Sequence, residues 1–228
     1  MWISSAEVAL LGAIVCLDRI TIQVMISRPV VVGPIIGAFL KDPVTGLITG
    51  AYVEMLWIDH IPLGKYVPPN DVIATVLITA GAILSGRGLG EVPPELISLS
   101  ILLFAPFAYI AKGLNILLIK SNEVLSEKVH EDAQRGDTGA ITGAQWRGMA
   151  KTFLTSAVLV FVSLVAGTCL LAWIYPLLPM RALRALTLTY CFIPVLGVAI
   201  ALNTIKMRGA LPLFAGLFLV VMIAAHVL

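Results

Sequence analysis

Residues 33–71 read GPIIGAFLKDPVTGLITGAYVEMLWIDHIPLGKYVPPND, a polar and often broken stretch inside an otherwise apolar chain. Gly33 and Gly37 lie four apart, as do Gly46, Gly50 and Glu54. Helical spacing of four places each set on one face, so a helix here carries a small-residue stripe that ends in a carboxylate. A charge at the bilayer centre costs roughly 3 kcal/mol or more, and intramembrane acids are functional by default. Three readings of Glu54 stand side by side. It hydrogen-bonds a polyhydroxylated ligand, it carries a proton, or it satisfies a buried backbone group or basic side chain.

Composition sets the class around this stretch. The chain has 228 residues, 59% of them hydrophobic and 12% charged, with mean hydropathy +1.00. That is too little charge for an ordinary soluble domain. Residues 96–119 form a run with a single charge, long enough to cross hydrocarbon at 1.5 Å per residue. Residues 152–174 and 186–205 are comparable, and 210–228 is a shorter fourth run. The chain reads as an all-α, polytopic integral membrane protein. Met1–Leu17 lacks a basic start and a convincing cleavage site, so no cleaved leader is expected. Basic residues fall on both sides of most spans, leaving orientation unset. Cys16, Cys169 and Cys191 stand singly in apolar surroundings and are expected as small buried hydrophobes.

The first elements are short. Met1–Leu17 is followed directly by Asp18 and Arg19, and Arg28–Pro29 opens a second apolar stretch to Leu40. Pro43 suits the start of a third, running to about Ile58. Short, Gly/Pro-interrupted segments point to broken helices at a transporter site. The segment from Pro62 through Gly64, Lys65, Pro68, Pro69, Asn70 and Asp71 cannot be helical throughout. The apolar run after it, Val72–Leu84, is of a length that more often re-enters than spans. Residues 55–85 are therefore expected as a re-entrant hairpin whose tip, Lys65–Asp71, lies within the protein. Asn70 and Asp71 also suit the capping of the next helix. Residues 121–150 form a polar aqueous loop with some helical character. They separate an N-terminal part (1–120) bearing the hairpin from a C-terminal transmembrane scaffold (151–228).

Lys65, Asn70 and Asp71 combine donors and acceptors beside backbone groups freed by the prolines. A sugar needs such mixed contacts, because each buried hydroxyl left unpaired costs on the order of 1–3 kcal/mol. The competing reading is an exposed loop with a capped helix. Arg28 reads as a headgroup contact, a partner for an acid such as Asp42, or a ligand contact. Asp59 and His60 lie further on and also suit the membrane surface. GRGLG at 86–90 is not a dinucleotide fingerprint, and neither a Walker motif nor spaced metal ligands occur. No catalytic residue, metal or cofactor of its own is expected, and no nucleic acid.

Taken together, Ser27-Arg28-Pro29, the Gly33/Gly37 pair, Asp42 with Thr45-Gly46, Gly50 through Glu54-Met55, Gly64 and Val67-Pro68-Pro69-Asn70-Asp71 carry a specific resemblance. A fainter match is Met207-Arg208-Gly209 with Pro212 and Phe214. The chain resembles the membrane subunit IIC of the mannose/fructose/sorbose family of the bacterial phosphotransferase system. It departs at Lys41, where glycine is common, at Asn70, where many members carry the acid, and at Lys65, where small residues are usual. The resemblance implies a multi-pass protein of the bacterial cell (inner) membrane. It also implies a sugar-translocating subunit that forms the pathway with a IID membrane subunit, while soluble IIA and IIB supply phosphate for a hexose-type substrate. On that reading the chain has no catalysis of its own but belongs to a sugar phosphotransferase complex, and an oligomer among membrane lipids is expected. The implied substrate-binding residues are Glu54, Gly64, Lys65, Asn70 and Asp71, with Gly46, Gly50, Pro68 and Pro69 as packing or hinge positions. Two further readings remain: an ion-coupled secondary transporter with Glu54 as coupling acid, and a non-transporting scaffold or sensor of the phosphotransferase system.

Overall fold

A computed structural model of the chain describes residues 2–60 and 66–205, with positions 209, 212, 214–216, 218 and 219 beyond them. Pro62, Gly64, Lys65, Met207, Arg208 and most of the 210–228 run lie outside the described residues. Within them all regular structure is helical: α1 (Trp2–Leu17), α2 (Pro29–Phe39), α3 (Pro43–Leu56), α4 (Asp71–Gly86), α5 (Pro94–Phe104), α6 (Phe107–Gln134), α7 (Thr138–Ile174) and α8 (Met180–Ile205). Short 3-10 turns follow α1 and α7 at Asp18–Ile20 and Tyr175–Leu177.

The helix boundaries follow local chemistry. Pro29, Pro43 and Pro94 open α2, α3 and α5, where a missing N–H costs nothing. Asp42 caps α3 by accepting from the Thr45 N–H at 3.0 Å, and Asn70 caps α4 from the Ile73 N–H at 3.1 Å. The α2–α3 turn is closed by Lys41 N–H to the Ala38 carbonyl at 3.1 Å and Asp42 N–H to the Gly37 carbonyl at 2.8 Å. That pair of bonds is the Schellman arrangement, which needs a left-handed residue at its centre. Lys41 supplies it with φ +70°.

α2 and α3 lie together backbone on backbone. A Cβ on Gly33 would sit 2.2 Å from the Gly46 carbonyl oxygen, and one on Gly50 would sit 2.5 Å from that of Pro29. Small residues permit this approach in helices whose association lipid does not drive. At the centre lies α4, with every residue from Val72 to Leu84 buried. It packs against α1, α2, α3, α5, α6 and α7. A helix apolar on all sides belongs inside a bundle, and its buried Thr79 meets the Thr49 hydroxyl of α3 at 2.7 Å. Phe104 is fully buried and wedged between glycines: a Cβ on Gly81 of α4 would be 2.3 Å from its ring, and one on Gly167 of α7 2.2 Å.

The 96–119 run, read as long enough to cross hydrocarbon, lies within the apolar helical stretch Pro94–Glu123, with a break at Ala105 and Pro106 between α5 and α6, because Pro106 has no N–H to continue the ladder. Two expectations are corrected. The 121–150 segment is a helical hairpin rather than a loop. Gly136 turns it at φ +72° and Asp137 caps α7 through the Ala140 N–H at 3.0 Å. Lys151 Nζ donates across it to Ser121 Oγ at 3.0 Å. Cys16 is buried, but Cys169 and Cys191 are exposed, since the outward faces of α7 and α8 are themselves apolar. Among the described residues, three helical stretches are long and apolar enough to cross a membrane: Pro94–Glu123, Thr138–Leu177 and Met180–Asn203. α7 packs on α1 and α4, and α8 on α3 and α5, so the helices before and after the hairpin share one core.

Candidate functional site

Four helix ends meet at one place. α1 ends at Leu17, residues 18–28 form a strap, and α2 begins at Pro29. α3 runs back along α2 from the tight turn at 40–42, so its C-terminus returns to the strap. An ion pair between Arg19 and Asp71 brings the N-terminus of α4 to the same end.

Glu54 lies in the last turn of α3 and pairs with Arg28, the residue before α2. Its Oε2 also faces the Val30 N–H at 3.4 Å. That N–H is one of the donors a helix start leaves free. The side chain of Glu54 is 16% exposed and that of Arg28 53%, so the guanidinium lies outside the carboxylate it meets. Arg28 therefore serves Glu54, while Asp42, the other partner considered for it, caps α3.

Asp71 is the first residue of α4. Its Oδ1 accepts from Arg19 and from the Val72 N–H, the latter at 2.9 Å. Here too the arginine is the more exposed partner, 35% against 17%. Asn70 is buried. Its N–H donates to the Ala108 carbonyl at 3.0 Å, and its side-chain oxygen is used in capping. Pro69 is buried beside it and Pro68 half-buried, in a stretch without regular structure. Tyr66 is held by Lys112 Nζ, 4.8 Å above its ring. Asp59 and His60 pair with each other at 2.6 Å. Gly64 and Lys65 lie outside the described residues.

The strap itself is organised by an acid that sequence reasoning gave no role. Asp18 is buried, and its two carboxylate oxygens accept from the Val24 N–H at 3.0 Å and the Ser27 N–H at 3.1 Å. Burial opposes its charge, but the Ser27 and Val24 N–H groups outweigh that and hold the carboxyl below the usual range. Gln23 and Met25 are left-handed at φ 57° and 65°, a conformation that non-glycine residues keep only where surroundings impose it. The visible signal was Asp18-Arg19 placed directly after an apolar run. Among the described residues no three His, Cys, Asp or Glu side chains converge as a metal set. The arrangement offers carboxylates and guanidiniums in adjacent pairs, which suits hydroxyl-rich ligands.

Comparison with known proteins agrees with this architecture. Residues 2–228 match the family described as PTS system sorbose-specific IIC component. The putative N-acetylgalactosamine permease IIC component 2 of Escherichia coli K12 is 46% identical over 59 residues, which span 26% of this chain and 44% of that protein. The mannose-specific EIIC component of the same organism is 23% identical over 221 residues, 94% of this chain and 79% of its own length. One similar solved structure, described as that of a membrane protein, has a TM-score of 0.73 at 19% identity and covers 99% of this chain and 91% of that one. Another is the mannose transporter ManYZ in complex with microcin E492, with a TM-score of 0.61, 19% identity, and 97% and 85% coverage. At that identity the two structures establish the shared fold. The chain is a multi-pass protein of the bacterial cell (inner) membrane, and it belongs to the sorbose-specific IIC family of the phosphotransferase system.

Proposed function

We propose that this chain is the sugar-translocating IIC subunit of a phosphoenolpyruvate-dependent permease. It would form the sugar pathway with a IID membrane subunit, while IIA and IIB supply phosphate. The observation that carries the reading is the gathering of Glu54 and Asp71, each paired with an arginine, at one end of a helix cluster in a chain matched to the IIC family along its length. Glu54 and Asp71 accept hydrogen bonds from sugar hydroxyls. Asn70 offers its amide nitrogen, since its oxygen caps α4, and Lys65 with the Gly64 backbone adds donors.

Short helices support a re-entrant arrangement with six to eight membrane elements in all. At 1.5 Å per residue, α2, α3 and α4 are about 16, 21 and 24 Å long, less than the roughly 30 Å of hydrocarbon. On this reading residues 55–85 enter and return, and the unit carrying Glu54 and the tip moves against the C-terminal helices in alternating access. Gly46 and Gly50 keep α3 close to α2 during that movement, and Pro68 and Pro69 stiffen the tip. Glu54 already has Arg28 as a resident counter-ion, which suits hydrogen bonding to a neutral sugar better than coordination of a coupling cation.

The test is uptake of labelled mannose, sorbose and N-acetylgalactosamine by the chain co-expressed with a IID subunit. Phosphoenolpyruvate-dependent accumulation that Glu54→Gln weakens, with the protein still inserted, is expected. Accumulation that follows an imposed ion gradient without phosphoenolpyruvate would favour an ion-coupled carrier. Binding of phosphotransferase proteins without flux would favour a scaffold.

A further inference from the structure

We propose that the strap between α1 and α2, residues 18–28, is a positioning element of the sugar site, with Arg19 and Arg28 as its two working side chains. The inference rests on the reading of Glu54 and Asp71 as sugar ligands and names what orients them. These acids come from different helices, and both are met by an arginine from this one short segment.

The strap is built to deliver both arginines together. Asp18 lies beside Arg19, and through the Val24 and Ser27 N–H groups it fixes the far end of the strap next to Arg28. Further bonds, Gln23 N–H to the Asp18 carbonyl at 2.9 Å and Arg28 N–H to the Met25 carbonyl at 3.1 Å, close the path between them. The left-handed Gln23 and Met25 are part of that tight path. Arg28 is then set in register with Glu54 by Gly50, whose α-carbon side faces the Pro29 carbonyl too closely for any Cβ.

The chemistry follows from the order of layers. Each guanidinium is more exposed than its carboxylate, and a guanidinium carries five N–H donors in a fixed fork. The fork holds the carboxylate in one orientation, with its remaining lone pairs left to accept from a sugar hydroxyl. Removing the arginine frees the carboxylate to rotate, so affinity falls although the acid remains.

The test compares uptake kinetics of the co-expressed permease, using whichever of mannose, sorbose or N-acetylgalactosamine the wild type takes up. Variants are Glu54→Gln, Asp71→Asn, Arg28→Gln, Arg28→Lys, Arg28→Gln/Glu54→Gln and Asp18→Ala. Arg28→Gln is expected to raise KM about tenfold, as loss of a hydrogen bond to a charged group does, with a smaller change in Vmax. Arg28→Lys recovers part of it. The double variant is no worse than Glu54→Gln alone, because Arg28 acts through Glu54. Asp18→Ala, whose side chain bonds the strap and not the acids, raises KM several-fold; if it fails to accumulate, Asp18→Asn, which keeps one acceptor oxygen, makes the same comparison.

Wild-type KM in Arg28→Gln and in the Asp18 variant, with Glu54→Gln impaired, overturns the strap and leaves the site reading intact. Independent, multiplying losses in the double variant overturn action through Glu54. Unchanged KM in both Glu54→Gln and Asp71→Asn removes the site reading itself.

Discussion

Gly33→Ala tests whether the α2–α3 contact governs both stability and the site. The added Cβ would stand 2.2 Å from the Gly46 carbonyl oxygen, 2.7 Å from the Gly50 Cα and 2.9 Å from the Gly50 nitrogen. All three are backbone atoms, so no rotamer change relieves the clash. Ordinary contact begins near 3.4 Å, so the helices must part by about 1.2 Å. Overpacking of this kind costs about 1–3 kcal/mol, offset by up to about 1 kcal/mol from the better helix propensity of alanine. A net loss of about 1–2 kcal/mol lowers Tm by roughly 2–8 °C for a chain of this size. Because Gly50 abuts Pro29 and precedes Glu54 by one turn, separation also pulls Arg28 from Glu54, and sugar KM should rise. Thermal unfolding of the detergent-solubilised permease, read by intrinsic tryptophan fluorescence, measures the first effect, and uptake the second. Gly113→Ala and Gly143→Ala are the controls, since a Cβ there meets nothing within 4 Å. A Gly33→Ala protein that melts and transports like those controls would refute the reasoning.

Other outcomes follow from the same geometry. Lys41→Gly should raise Tm: the left-handed backbone costs a side-chain-bearing residue about 1–2 kcal/mol, against less than about 1 kcal/mol of added unfolded-chain entropy. An unchanged or lower Tm would mean the lysine side chain contributes more than its strain. Gly167→Ala should lose about 1–3 kcal/mol, because its Cβ would fall 2.2 Å from the Phe104 ring, on the edge opposite the one that Gly81 meets; the same variant in a Phe104→Leu background should lose clearly less, and equal losses would acquit the ring. The Asp18 carboxyl is held below its usual range, so it stabilises the strap above the unfolded carboxylate range and that contribution disappears as pH falls through the folded value. Hydrogen exchange at Val24 and Ser27, corrected for intrinsic rates, should accelerate in acid in the wild type and not in Asp18→Ala.

The helix starts were legible because their causes are local. Pro29 and Pro43 open helices, Asn70 caps one, and the glycines at spacing four mark the faces that touch. The unusual lysine at 41 also reads physically: the α2–α3 turn requires φ above zero there, which is why glycine serves that place more easily. What the sequence hid was pairing at a distance. Arg19 and Asp71 are 52 residues apart, and Arg28 and Glu54 come from the first and last positions along the chain of one helical hairpin. No periodicity joins such partners. The break at Pro106 was hidden for a different reason, since hydropathy averages over a proline that interrupts hydrogen bonding without changing apolarity.

Glu54 and Asp71 look equivalent as a list of acids, but the helices make them unequal. Asp71 occupies the first turn of α4, where the positive end of the helix dipole favours an anion. Glu54 occupies the last turn of α3, where the dipole opposes one. Its compensation comes from the start of α2: the Val30 N–H, freed by the helix start, and the Arg28 guanidinium. Removing Arg19 leaves Asp71 with its own Val72 N–H at 2.9 Å and a favourable dipole. Removing Arg28 leaves Glu54 with one long bond of 3.4 Å against an unfavourable one. The loss in sugar affinity should therefore be larger for Arg28→Gln than for Arg19→Gln, by a factor of about two to five if the two dipoles differ by roughly 0.3–1 kcal/mol in effect. The reverse order in KM would show that Asp71, not Glu54, depends more on its arginine, and that helix-end electrostatics do not rank the two acids.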